Sequence, residues 1–271
     1  MKRVCFCLKK QFNPWEMVKI QTRMLVHKVP VFFVSSKDFD FPSKKTLYVT
    51  DDNDTYNKIK RQNYDALALI ESENDMNDFE NARYFIMNPW DTEYSYYERA
   101  YKRFNNIPWS LVETKRLILR ETIESDVDTF YEMYKNPEMT RYTESLYTDV
   151  EEEKRYVREY REKVYDIQGF GIWTVIRKSD NRIIGRAGIT AREGFDNYEV
   201  GFAIGCDYQG QGYAIEAVKG ICSFAKEQEL GELNALVMPE NERSKNLLRK
   251  LAFKQREEAS LNGVSYEVWR Q

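Results

Sequence analysis

Short apolar runs alternate with amphipathic stretches along the whole chain. In the first part, Val29–Ser35 and Thr46–Thr50 are compact β-rich runs, and Ala66–Ile70 and Tyr84–Met87 read as two further buried strands. Between them Asn53–Asn63 has helical character, with Asp51, Asp52 and Asn53 as candidate caps, and Asp91–Phe104 reads as a helix entered after Pro89. Strands alternating with helices predict a small, Rossmann-like α/β domain with a largely parallel sheet. The expected junction is Ile107-Pro108-Trp109, which divides the chain into residues 1–110 and 111–271.

The second part has a different rhythm. Thr114–Arg120 reads as a strand and Asp126–Tyr134 as a helix, with Val127, Phe130, Tyr131 and Tyr134 on one face and Ser125 as its cap. Asp149–Asp166 is a strongly charged helix whose acidic opening suits a helix N-terminus. Gly171–Arg177 and Arg182–Thr190 form a strand pair joined by the turn Ser179-Asp180-Asn181. Tyr198–Ile204 is another strand, followed by a glycine-rich turn and a helix through Glu227. Leu233–Met238, the helix Glu242–Leu251 and the strand Val264–Trp269 complete the order β-α-α-β-β-β-α-β-α-β, with an extra strand expected near Phe253–Glu257. That order predicts an α+β or α/β domain, a mixed sheet flanked by helices.

Composition removes several classes of function. The net charge is −3, from 41 basic and 44 acidic residues with no long block of one sign, so the footprint of a nucleic-acid binder is missing. The opening apolar run Val4–Leu8 is too short for a signal-peptide core, and no apolar stretch reaches the roughly 20 residues of a membrane span. A cytoplasmic, membrane-free protein is the expectation. Cys5 and Cys7 form a C-x-C pair without a second pair or a nearby His, which does not make a zinc site, and no metal is expected. Cys206 and Cys222 are the other cysteines, and Cys222 reads as a buried structural thiol. His27 is the only histidine, so His-dependent catalysis is excluded from the second part. The Asp51-Asp52 pair reads as a cap and turn, and it is the sole, weak support for a phosphatase-like activity in the first part.

The chemistry sits in Gln209-Gly210-Gln211-Gly212-Tyr213-Ala214, between a strand and a helix whose apolar stripe is Ala214, Ala217, Val218, Ile221 and Ala225. A glycine-rich turn at a helix N-terminus offers backbone N–H groups and a favourable dipole to a pyrophosphate. The dinucleotide fingerprint fails, because its third glycine is Ile215, and the P-loop G-K-[ST] is absent.

The stretch resembles Q-x-x-G-x-A, the pyrophosphate loop of the GNAT superfamily of N-acetyltransferases. Upstream, Glu199-Val200-Gly201-Phe202 resembles that family's fourth strand. Downstream, Asn241-Glu242-Arg243-Ser244 and Leu247-Leu248-Arg249-Lys250-Leu251-Ala252-Phe253 resemble its N-x-x-S…L-x-K-x-G-F element. The likeness runs from about Thr114 to the C-terminus, and is strongest to the branch of ribosomal-protein N-terminal acetyltransferases.

The resemblance implies acetyl-CoA as cosubstrate and a primary amine, on a small molecule or a peptide N-terminus, as acceptor. Backbone groups of Phe202, Ala203 and Ile204 would hold the pantetheine arm, and those of Gln209 to Ala214 the pyrophosphate. Asn241 and Ser244 would also contact the coenzyme, and Glu199 matches the general base. The competing reading of Glu199 is a strand carboxylate paired with a neighbouring Arg. Tyr142, Tyr147, Phe170 and Trp173 are candidates to line the amine pocket, with core packing the default reading for Trp173 because aromatic residues bury well. The proton donor that many relatives carry seven residues after the Asn is replaced by Leu248, leaving Cys206, Tyr213 or an unassisted thiolate. Leu248 also motivates an alternative, a non-catalytic acetyl-CoA sensor with the N-terminal domain as effector. Packing, homodimerisation or shaping of the acceptor pocket are the roles open to that domain.

Overall fold

The most continuous apolar run of the N-terminal unit, Arg3–Leu8, forms its central strand, β1, buried from Val4 to Leu8. The structure is a computed structural model that describes residues 1–37, 44–71, 74, 76–79 and 82–271. It divides into two compact units, Met1–Ile107 and Pro108–Gln271.

In the first unit β1 is followed by α1 (Pro14–Leu25), β2 (Val31–Ser35), β3 (Thr46–Thr50), α2 (Asn53–Arg61), β4 (Asp65–Leu69), β5 (Phe85–Ile86) and α3 (Tyr94–Phe104). The strands form one parallel sheet in the order β2-β1-β3-β4-β5. Alternation along β1 sends Val4, Phe6 and Leu8 into a core with Ile20 and Met24 of α1 and Tyr97 and Ala100 of α3. Cys5 and Cys7 face the other way, into a cluster with Tyr56 and Ile59 of α2. Both thiols are thus core side chains. His27 stacks on Tyr94 with ring centroids 3.8 Å apart. β1 and α1 are elements that the apolar pattern did not announce, and α3 starts three residues later than expected, at Tyr94.

The second unit opens with β6 (Ser110–Glu113) and β7 (Leu117–Arg120), so the expected strand Thr114–Arg120 is a hairpin turn and a shorter strand. Then come α4 (Val127–Tyr134), α5 (Val150–Tyr160), a π-helical turn Arg161–Tyr165 and α6 (Asp166–Gln168). Ser125 does not cap α4. It lies in the 3-10 turn Glu124–Asp126, where the Asp126 carboxylate accepts the Ile123 N–H at 3.0 Å. β8 (Ile172–Arg177), β9 (Arg182–Thr190) and β10 (Glu199–Ile204) follow, then α7 (Tyr213–Glu227), β11 (Asn234–Val237), α8 (Glu242–Lys250), β12 (Lys254–Leu261) and β13 (Val264–Arg270). The extra strand is therefore β12, longer than expected.

These strands make an eight-stranded sheet in the order β12-β13-β11-β10-β9-β8-β7-β6. β10 and β11 are its parallel pair, because α7 carries the chain back across the sheet between them. One face packs on α7 through Trp173, Ala187, Ala217, Val218 and Ile221. The other carries Thr174 and Arg186, whose guanidinium lies 5.0 Å from the Phe130 ring of α4.

Candidate active site

The pairing of β10 with β11 stops almost as soon as it starts. Glu199 lies opposite Asn234, and the Asn234 N–H donates to the Tyr198 carbonyl at 2.8 Å. Beyond that point β10 stays paired with β9 through Ile204, while β11 pairs with β13. The two strands therefore part, and the sheet opens into a wedge.

Strand alternation decides what faces the wedge. The Gly205 N–H donates to the Ile184 carbonyl, which fixes Ala203 and Gly201 as the residues whose backbone groups exchange bonds with β9. Phe202 and Ile204 present theirs on the β11 side. The Ile204 carbonyl accepts from Gln209 Nε2 at 2.9 Å, so Gln209 ties the end of β10 to the following loop. Arg243 Nη1 of α8 donates to Gln209 Oε1 at 3.1 Å.

The loop itself is held open by backbone conformation. Gly210 and Gly212 have φ of +74° and +78°, in the left-handed region that favours glycine, and a Cβ on Gly210 would meet no atom within 4 Å. Gly212 is the N-cap of α7 and supplies no side-chain cap, so the first N–H groups of a 15-residue helix lack that partner among the described residues.

Arg116, which the sequence pattern did not single out, fixes this loop from the start of β7. Its Nη1 donates to the Gln211 carbonyl at 3.0 Å, its Nε to Glu216 Oε2 at 2.6 Å, and its guanidinium lies 4.4 Å from the centre of the Tyr213 ring. Glu216 also accepts the Arg116 N–H and the Thr114 hydroxyl. The Arg116 side chain is 40% exposed, which makes the latch weaker than a buried pair. Arg116→Ala is expected to weaken binding of a coenzyme pyrophosphate about fivefold, equivalent to about 1 kcal/mol, with kcat unchanged. Isothermal titration beside steady-state kinetics checks this, and a fall in kcat at saturation would contradict it.

Glu199 sits at the mouth of the wedge, 8% exposed. Burial, the largest influence, pushes its carboxyl above the usual range, while Arg192 opposes that shift and Glu144 adds to it. Arg192 Nε donates to Glu199 Oε2 at 2.6 Å, and Glu144 approaches Arg192 at 3.9 Å. The paired-carboxylate geometry and a base-like environment are thus both present. On the same face, Gly201 follows Glu199 by one alternation and lies beside Gly188 and Ile172, so the sheet next to the carboxyl carries two positions without a side chain.

The expected amine-pocket residues separate. Tyr142 donates from its hydroxyl to the Glu240 carbonyl at 3.4 Å, and Tyr147 is half-exposed with its ring 5.7 Å from that of Tyr156. Both flank Glu144. Phe170 is buried edge-on against Tyr198 at 5.1 Å. Trp173 leaves the pocket candidates and takes its default reading: it pairs with Ala187 and so points to the face opposite Glu199, fully buried against Phe224 of α7. It is a core residue.

Asn241 is the N-cap of α8, its Oδ1 accepting the Ser244 N–H at 3.1 Å. Leu248 is wholly buried in the α7-side core. Tyr213 is buried under Arg116, and Cys206 is half-buried in a 3-10 turn. Burial pushes the Cys222 thiol up to about 11, as suits a structural cysteine. Among the described residues, no group of three or more His, Cys, Asp or Glu side chains is placed to hold a metal, and no helix is long and apolar enough to cross a membrane.

A mixed sheet that splits between its parallel strands, with a glycine-lined helix N-terminus below the split, defines an acyl-transferase of the GNAT fold. The acetyltransferase (GNAT) domain family matches residues 116–254, and the chain belongs to it. It is 27% identical over 169 residues to the uncharacterized N-acetyltransferase YoaA of Bacillus subtilis, a match spanning 58% of this chain and 93% of that protein. It also resembles the ribosomal-protein-S5-alanine acetyltransferase of Vibrio fischeri, with a TM-score of 0.50 and 20% identity over 60% of this chain and 95% of the other. A ribosomal L7/L12 alpha-N-protein acetyltransferase in complex with coenzyme A matches at a TM-score of 0.51 and 16% identity, covering 60% of this chain and 97% of that one.

Proposed function

We propose that the unit Pro108–Gln271 transfers the acetyl group of acetyl-CoA to a primary amine, on a small molecule or on a peptide or protein N-terminus, by direct attack in a ternary complex. The observation that carries this reading is the wedge between β10 and β11 lying above the side-chain-uncapped N-terminus of α7. The coenzyme A complex of a similar fold supports the same cosubstrate.

When bound, the thioester supplies an activated acyl carbon. The chain's residues then have separate tasks. Phe202 and Ile204 offer backbone groups to the pantetheine arm along the open side of β10, and Ala203 lines the arm while its own backbone stays paired with β9. Backbone N–H groups from Gln209 to Ala214 hold the pyrophosphate, with Gly210, Gln211, Gly212 and Tyr213 between them. The Asn241 amide and the Ser244 hydroxyl contact the coenzyme from the first turn of α8. Glu199 takes a proton from the acceptor ammonium, since an amine attacks only in its neutral form. A backbone N–H of β10 stabilises the charge developing on the acyl oxygen. Leu248 holds no proton, so the thiolate departs without a donor from that position of α8. The amine approaches over the bare strip at Gly201 and Gly188, with Tyr142 and Tyr147 at its edge.

The test is titration with acetyl-CoA, followed by thiol release against a panel of small amines and N-terminal peptides. Release that depends on the amine is expected. Tight binding with no release for any acceptor would remove the transferase and favour an acetyl-CoA sensor.

A further inference from the structure

The parallel sheet of the N-terminal unit has its own topological switch point. β1 and β3 are neighbours, but the chain leaves them toward opposite edges of the sheet, to β2 on one side and to β4 on the other. In doubly wound sheets, ligands bind in the crevice outside the carboxyl ends of the strands at this place. A cavity of about 730 Å³ opens at that edge, lined by residues that follow β1, β4 and β5. A smaller hollow of about 360 Å³, which adds residues following β3, shares Lys10 and Glu71 with it. The larger volume lies in the range of roughly 300–1,000 Å³ that encloses small organic molecules.

Two anion seats are expected in such a crevice, the backbone of the first βα turn and the N-terminus of the first helix. The protein fills both itself. The N–H groups of Lys9 and Lys10 donate to the Asp51 carboxylate at 2.8 and 3.4 Å. The start of α1 is closed by a reciprocal pair in which Asn13 Oδ1 accepts the Glu16 N–H and the Glu16 carboxylate accepts the Asn13 N–H. Asp52 in turn caps α2 and pairs with Lys9 at 2.8 Å, which fixes the β1 and β3 loops against each other. A phosphate would have to displace an internal carboxylate.

The rest of the larger cavity has two chemistries. One side is apolar and aromatic: Phe12 and Trp90 meet edge to face at 5.6 Å, beside Ile70 and the exposed Met87. The polar side holds the carboxylates of Glu16 and Glu71 and the amides of Gln11, Asn13 and Asn88 against one ammonium, Lys10. Its charge is net negative and it is rich in acceptors.

We propose that this crevice binds a small, flat molecule bearing a neutral or cationic nitrogen donor, and that it rejects phosphorylated and other anionic ligands. The flat body lies against Trp90 and Met87, and the nitrogen faces Glu71.

The experiment uses the full chain with 13C-labelled methionine methyls, the Met87 signal being assigned by its loss in Met87→Leu. Indole, tryptamine, indole-3-acetate and inorganic phosphate are titrated in turn. Tryptamine and indole are expected to move the Met87 methyl, with tryptamine binding about tenfold or more tighter than indole-3-acetate and phosphate without effect. Glu71→Gln, close in shape to the native residue, is expected to narrow that preference severalfold. A Met87 signal unmoved by every probe, or binding of indole-3-acetate as tight as that of tryptamine, would overturn the proposal.

Discussion

Glu199→Gln is expected to lower kcat/KM for amine acetylation about 10²–10⁴-fold at neutral pH, with acetyl-CoA affinity unchanged. Gln keeps the size and one acceptor of Glu but cannot take a proton. The substitution leaves the Arg192 guanidinium without its carboxylate, yet Arg192 is 37% exposed and water solvates it, so the fold is little disturbed. If Glu199 served only as the strand partner of Arg192, the variant would keep its rate and lose a little stability. Arg192→Gln separates the two readings further. Burial holds the Glu199 carboxyl above the usual range and Arg192 pulls it back down. The base works when deprotonated, so activity falls as pH drops through the Glu199 titration. Removing the guanidinium takes away the influence that favours the charged form. The acid limb of the kcat/KM profile of Arg192→Gln should therefore move to higher pH, with the plateau rate kept within a few-fold. An acid limb that does not move would remove Arg192 from the control of Glu199.

The loop from Gln209 to Ala214 was legible in the sequence because its determinants are local: two glycines at positive φ and the small-residue stripe of the following helix. The strand that carries Glu199 was legible for the same reason, as a short run with a recognisable neighbourhood. Arg116 was not, since its partners Gln211 and Glu216 lie 95 and 100 residues away and only the folded sheet brings them together. For Trp173 the core was already the default reading, but its candidacy for the pocket could be removed only by the register of β8 against β9, which composition does not set. α1 escaped notice because its apolar positions point both ways. Ile20 and Met24 are buried, while Trp15, Val18 and Leu25 are exposed, which blurs the helical period. β1 escaped because Val4–Leu8 was weighed against a targeting peptide, and both faces of a central parallel strand are apolar.

Asp126→Ala is expected to destabilise the C-terminal unit by about 3–5 kcal/mol, read from the denaturant midpoint. The carboxylate is 3% exposed and serves several donors at once. Arg120 reaches it with two nitrogens at 2.6 and 2.7 Å, the Thr174 hydroxyl at 2.8 Å and the Ile123 N–H at 3.0 Å. It thereby joins β7, the turn before α4 and β8 on the face that carries Glu199. Truncation strands a largely buried guanidinium and a backbone N–H, while the Thr174 hydroxyl still has Thr122 Oγ1 at 3.0 Å. Adding Arg120→Met to Asp126→Ala removes the stranded charge. The double variant should recover only part of the loss, because the Ile123 N–H still lacks the acceptor it had, at a cost of about 1–3 kcal/mol for an unsatisfied group. Full recovery would assign the whole effect to the charge pair and none to the shared acceptor. The remaining folded molecules should turn over at close to the native rate, since Asp126 acts on how α4 is anchored and Glu199 lies on a strand separated from β8 by β9. A large loss of kcat at full folding would instead mean that this anchor sets the position of the helices over the acceptor side of the sheet.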